Sequence, residues 1–260
     1  MKKSIVAIII SFIIILLILS SIVVFASNGN QDVTLEDKVT QEIYYLDNYL
    51  ISILENFNVK NDISAAKDNK QNNQQNNTQN NQISNDNGKY MTKWEDIEVQ
   101  IQELYQIWNT VSIDLHSINI EGASILAFSD YLNSSMQNIK KKDKTKSMDA
   151  VNKLYQLLPM YSESYKPNSK ETNLLKIKSN IVNAYCTASD EKWQEAQTQL
   201  AQAIKQFTNL LNSVTPNFNN QTIVNQCYIL TNELSKAAKL KDKDIFFIEY
   251  QNLIKKMEAI

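Results

Sequence analysis

Apolar positions take three textures along this chain. From Ser4 to Ala26 they are continuous, an Ile-, Leu- and Val-rich run of 23 residues with no charge inside it. From Val39 to Phe57, and again from Trp94 onward, they recur every three or four positions. Between these stretches, residues 61–88 have no period, and from Gln71 to Gln82 every residue but Thr78 is Asn or Gln.

As a helix the first run rises about 34 Å, enough for a hydrocarbon core of about 30 Å. Lys2 and Lys3 precede it, and the nearest charges after it are Asp32, Glu36 and Asp37. Positive charge stays on the cytoplasmic side, so a stub of residues 1–3 is expected inside and the bulk outside. The competing reading is a secretory signal cut after Val24-Phe25-Ala26, before Ser27. The run is longer than the roughly 7–15 residues of a usual signal core. No cysteine follows it to carry a lipid. Both readings export residues 27–260.

Thr34-Leu35-Glu36-Asp37 has the form of a capping box. Val39, Ile43, Leu46, Leu50, Ile53 and Phe57 then make a heptad seam on one helix. The seam would serve either a second copy of the chain, by self-association, or another protein surface, including a groove on this chain's own C-terminal domain. Residues 27–60 are thus expected as a membrane-proximal helix. The Asn/Gln stretch has nothing to bury and is expected as a disordered tether, 61–88, spanning roughly 30 Å. Residues 89–260 make the extracytoplasmic domain.

In that domain Thr92–Glu95 looks like a second capping box, and Trp94, Ile97, Ile101, Leu104, Trp108, Val111 and Leu115 follow on one helical face. After a break near Asn119–Gly122, a second helix carries Ile125, Phe128, Leu132, Met136 and Ile139. Three charged turns, Lys142-Asp-Lys144, Ser189-Asp-Glu191 and Lys241-Asp-Lys-Asp244, each precede an amphipathic helix. The first bears Val151, Leu154, Leu158 and Tyr161, with Pro159 expected to kink or shorten it. The second carries Trp193, Ala196, Leu200, Ala203, Phe207 and Leu211, and the third Ile245, Ile248, Tyr250, Leu253 and Met257. Helices are also expected around Leu174–Tyr185 and Ile223–Leu240. The fold class is all-α, a helical bundle or a short array of helix hairpins.

Composition supports this. Only three glycines and three prolines occur, too few turn residues for sheets. All 26 basic residues are lysine, and beyond the stub 24 of them face 28 acids. Without arginine forks or a basic surplus, no nucleic-acid partner is expected.

Few residues carry candidate chemistry. His116 is the lone histidine, and no cofactor or metal site is expected around it; it reads as a helix-end residue favoured by the macrodipole. Isolated glycines build no phosphate loop, and no Gly-x-Ser-x-Gly exists, so no catalytic residue is assigned. Cys186 and Cys227, the only cysteines, are exported, where an oxidising exterior permits a disulfide; the alternative is that each is a small buried apolar residue. Lys140, Lys141, Lys142, Lys144 and Lys146 form the densest basic cluster. It is a candidate contact for an anionic surface, or else a solvated turn.

Trp94 and Trp108 on one helix, His116 at its end, and Lys142-Asp143-Lys144 before a Leu-rich helix, together with the Lys2-Lys3 anchor, resemble an uncharacterised family of small single-pass helical proteins of endospore-forming bacteria. The likeness covers Trp94 to Tyr161 and implies membrane location and helicity, with no chemistry. The functional expectation is therefore a membrane-anchored, non-enzymatic binding or scaffold module. The alternatives are a bundle that captures a small ligand or metal, and a secreted helical protein after cleavage at Ala26.

Overall fold

The computed structural model describes residues 34–60, 90–213 and 221–260, and every helix expected there is present. In chain order they are α1 Leu35–Glu55, α2 Trp94–Ser117, α3 Gly122–Lys140, α4 Lys144–Tyr165, α5 Lys170–Ser189, α6 Trp193–Ser213, α7 Gln221–Leu240 and α8 Lys243–Met257. The stub, the apolar run 4–26 and the Asn/Gln segment 61–88 lie outside the described residues. Among those described, no helix is long and apolar enough to cross a membrane.

From α2 to α8 each helix packs on the next, giving an all-helical, bundle-like fold. The first helix is no separate part of it. Thr34 caps α1 as its sequence predicts, its hydroxyl accepting from the Asp37 amide at 3.2 Å. The seam residues Val39, Ile43, Leu46, Leu50, Ile53 and Phe57 are all buried, and α1 packs against α4 and α2. One core spans residues 39–257. Of the two partners expected for the seam, the later helices of this same chain are the one it meets, and the division between a helix at 27–60 and a domain at 89–260 gives way to a single body.

The reason lies in two short strands that the sequence did not announce, β1 Val59–Lys60 and β2 Tyr90–Met91. They pair antiparallel, Val59 with Met91 and Lys60 with Tyr90. The seal continues beyond them, with the Lys93 amide donating to Asn56 O at 2.9 Å and the Thr92 hydroxyl to Phe57 O at 3.0 Å. Lys60 and Tyr90 therefore stand side by side, and the helices on either side of them belong to one body and not two; the expected tether itself lies outside the described residues. Thr92 is spent on this seal, so α2 starts after Lys93 with no side-chain cap, contrary to the expected capping box.

Helix ends explain how so few glycines suffice. Asn119, Lys142, Asn168, Glu191 and Lys241 have φ of 53–63°, the left-handed conformation usually given to glycine where a helix stops. After α3 the Asp143 amide donates back to Asn138 O at 3.1 Å and the Lys142 amide to Ile139 O at 2.8 Å, closing the last turn. Asp143 and Asp242 then cap the next helices. Each Lys-Asp pair thus ends one helix and starts another.

Two details depart from expectation. Pro159 does not end α4, which runs on to Tyr165; Leu157, Leu158 and Tyr161 are buried around it, and that packing outweighs one lost backbone bond. In α8 Ile245 and Ile248 face outward, while Phe246, Phe247 and Ile254 turn inward with Tyr250, Leu253 and Met257.

Candidate functional site

Three helices bring one polar side chain each to a common point, two of them charged. Asp47 lies on the inner face of α1, between the seam positions Leu46 and Leu50. Lys178 lies on α5 beside Ile177 and one turn before Ile181, and Tyr155 on α4. The Lys178 ammonium donates to Asp47 Oδ2 at 2.6 Å, and both side chains are under one-tenth exposed. The Tyr155 hydroxyl donates to Asp47 Oδ1. Burial, then the Asp47 charge beside it, holds the Tyr155 hydroxyl far above its ordinary range, so it stays a donor. With both carboxylate oxygens engaged the buried charge is compensated.

Asp47 and Lys178 of this group border a cleft of about 460 Å³ between α1, α4, α5 and the end of α8. Ile43 and Tyr44 line it from α1, Ser162 and Tyr165 from α4, Leu174 and Leu175 from α5, and Met257 from α8. The lining is mostly apolar, with Lys170, Glu171 and Glu258 also bordering it. At the α1–α4 wall the Tyr165 and Thr40 hydroxyls meet at 3.3 Å, and Ser162 is tied to Thr172 at 2.6 Å. A mostly apolar cavity with a few fixed polar groups is the ordinary form of a small-molecule site. Among the described residues, Asp47 Oδ2 is the one acceptor of the Lys178 ammonium, which carries three donors.

On the same helix, Lys38 bridges two acids: its ammonium is 2.6 Å from Asp114 Oδ2 and 3.6 Å from Glu42 Oε1. Burial, reinforced by the Asp114 carboxyl next to it, pushes the Glu42 carboxyl up to about 7 from an ordinary 4.5. Since the folded value lies above the unfolded one, protonated Glu42 favours the fold below pH 4.5, and this contribution is lost as pH rises through about 7. Stability should therefore fall across that window, by at most about 3 kcal/mol. In Glu42→Gln the slope should flatten. Urea midpoints against pH measure both, and parallel curves for the two proteins would exclude this assignment.

The residues singled out in the sequence fare variously. Cys186 on α5 and Cys227 on α7 are both buried free thiols, so the disulfide reading is replaced by that of small core residues. The two helices each pack mainly on α6, not on each other. Burial pushes the Cys227 thiol up to about 11 and the Cys186 thiol higher still. Both thiols should resist iodoacetamide in the folded chain, and both should be alkylated after unfolding without reductant. A mass unchanged by that unfolding step would restore the bridge.

Lys140, Lys141, Lys142 and Lys146 are exposed at the α3–α4 turn, Lys146 lying 3.1 Å from Asp143. Lys144 turns inward instead, donating to Asn58 Oδ1 at 2.8 Å. The cluster sits at the opposite end of α4 from the cleft, about 30 Å away by helix rise. His116 is exposed in the last turn of α2, and no group of three metal-ligating side chains occurs among the described residues. Trp108 stacks on Phe128 at 3.8 Å, and Trp94 and Trp193 pack on the core, as expected. The sequence reading passed over Asp47, Lys178 and Tyr155. The one available signal was Asp47, an acid flanking the inner seam.

No family model, no curated protein and no solved structure matches this chain.

Proposed function

We propose that the chain is a single-pass membrane protein, N-terminus inside, that presents a non-enzymatic helical binding module at the outer face, with the Asp47–Lys178 cleft as its ligand site. The observation that carries this reading is the cleft itself, apolar on its walls and floored by a buried, compensated charge. The apolar run Ser4–Ala26 supports the location. Leu35 follows Ala26 by nine positions, at most about 30 Å of extended chain. The first turns of α1 meet the end of α4 beside the cleft: Lys166 lies 3.6 Å from Asp37, and the Tyr165 hydroxyl is 3.3 Å from that of Thr40. On this reading that end of the fold, with the cleft beside it, faces the bilayer.

A non-enzymatic role fits the floor. Lys178 Nζ is engaged by Asp47 Oδ2, and the Tyr155 hydroxyl by Asp47 Oδ1. Small-ligand capture is favoured over metal capture, because the site holds a single unshared-charge pair and no ligating cluster. The test uses the full chain in phosphatidylcholine discs and a small-molecule extract of cells. Native mass spectrometry should find one retained molecule per chain, with a rise in melting temperature of several degrees. Leu174→Trp, which fills the cleft from a partly exposed position, should lose both. An identical response from wild type and variant, or none from either, would exclude the cleft.

A further inference from the structure

The Asp47–Lys178 floor also specifies what such a ligand must look like. Resting on the reading of the cleft as a binding site, we infer that its occupant is an uncharged amphiphile, an acyl chain ending in an ester, amide or hydroxyl oxygen, with that oxygen on the Lys178 ammonium.

The polarity of the head follows from the donors. Both Asp47 oxygens are engaged, one by Lys178 and one by Tyr155. The Lys178 ammonium has N–H donors beyond the one given to Asp47, and an acceptor oxygen on the ligand satisfies them. The charge of the head follows from the ion pair. A carboxylate or phosphate placed on Lys178 would lie against the Asp47 carboxylate, which sits 2.6 Å from the same ammonium. A cationic head would face the ammonium itself. A dipolar oxygen satisfies a buried donor without adding net charge to a desolvated place. The edge does not alter this, since Lys170, Glu171 and Glu258 carry both signs. The body of the ligand follows from the walls: Ile43, Leu174, Leu175 and Met257 give an apolar passage, with Tyr44 more than half exposed at its side. The volume suits one chain with a small head, not a two-chain lipid held whole.

The full chain in phosphatidylcholine discs is offered three radiolabelled probes matched in length: 1-decanoylglycerol, decanoate and decyltrimethylammonium. Bound probe is counted per chain and corrected by the Leu174→Trp protein. The uncharged glyceride should bind at one per chain, at least tenfold tighter than either ion. The paired variant Lys178→Met/Asp47→Asn removes the ammonium without stranding a charge, leaving an uncharged amide as the weaker donor, and should weaken the glyceride about tenfold. In a second arm the glyceride is built into the discs beforehand; retention there but not from solution assigns the bilayer as source, and uptake in both assigns an exchangeable metabolite. Preference for decanoate or the ammonium probe overturns the uncharged head while leaving the cleft as a site. Binding unaffected by Leu174→Trp overturns the cleft itself, and glyceride binding unaffected by the paired variant overturns the role of Lys178.

Discussion

Lys178→Met should destabilise the fold by about 3–5 kcal/mol, because it leaves the Asp47 carboxylate buried beside a single hydroxyl donor. The size of the loss comes from the stranded charge and not from the value of the pair. Adding Asp47→Asn should therefore restore much of it: the amide oxygen still accepts from Tyr155, and no charge remains to be buried. Urea unfolding of the two single variants and the double gives the coupling directly. A single-variant loss under about 1 kcal/mol would mean that water reaches Asp47 freely, and the cleft floor would not be the dry place described here.

Asn58→Ala should cost about 3 kcal/mol, a large effect for a residue just past the end of a helix. Asn58 Nδ2 donates to the Tyr185 hydroxyl at 2.9 Å, while its Oδ1 accepts from Lys144 at 2.8 Å and Ser189 at 3.1 Å. One side chain thereby ties the turn after α1 to α4 and α5. Its loss strands the Ser189 hydroxyl, removes one acceptor of the Lys144 ammonium, and leaves Tyr185 with only a long 3.4 Å bond to Leu54 O. Asn58→Asp keeps the acceptor and lets the tyrosine donate, so it should cost less than half as much. Hydrogen exchange at Val59 and Tyr90 should rise in Asn58→Ala before global unfolding does. Unchanged protection there would separate the network from the strand seal.

Helices were legible because each buried stripe is local. Ile97 to Leu115 and Trp193 to Phe207 repeat every three or four residues, and the core takes those faces. The charged turns were legible as punctuation, and their mechanism proved to be a left-handed lysine or glutamate at the stop, followed twice by an aspartate cap. Ile245 and Ile248 were misread because α8 holds two superposed apolar spacings, and only contact with α5 and α7 chooses between them. The site was invisible for a related reason. Asp47 and Lys178 are 131 positions apart, and nothing in the spacing of either announces the other. The strand pair is two residues long on each side, shorter than any alternation a sequence can display.

That strand pair has one more consequence, for how this chain tolerates change. Lys60 and Tyr90 are direct register partners, so their Cα atoms stand only about 5 Å apart across the ladder. A turn of two to four residues could join them without moving either strand. Everything numbered between them can accordingly be trimmed, extended or exchanged for a foreign insert while the core contacts of α1 stay where they are. The Gln71–Gln82 run of amide side chains falls inside that interval, where chain length carries little weight for the packing of the helices on either side.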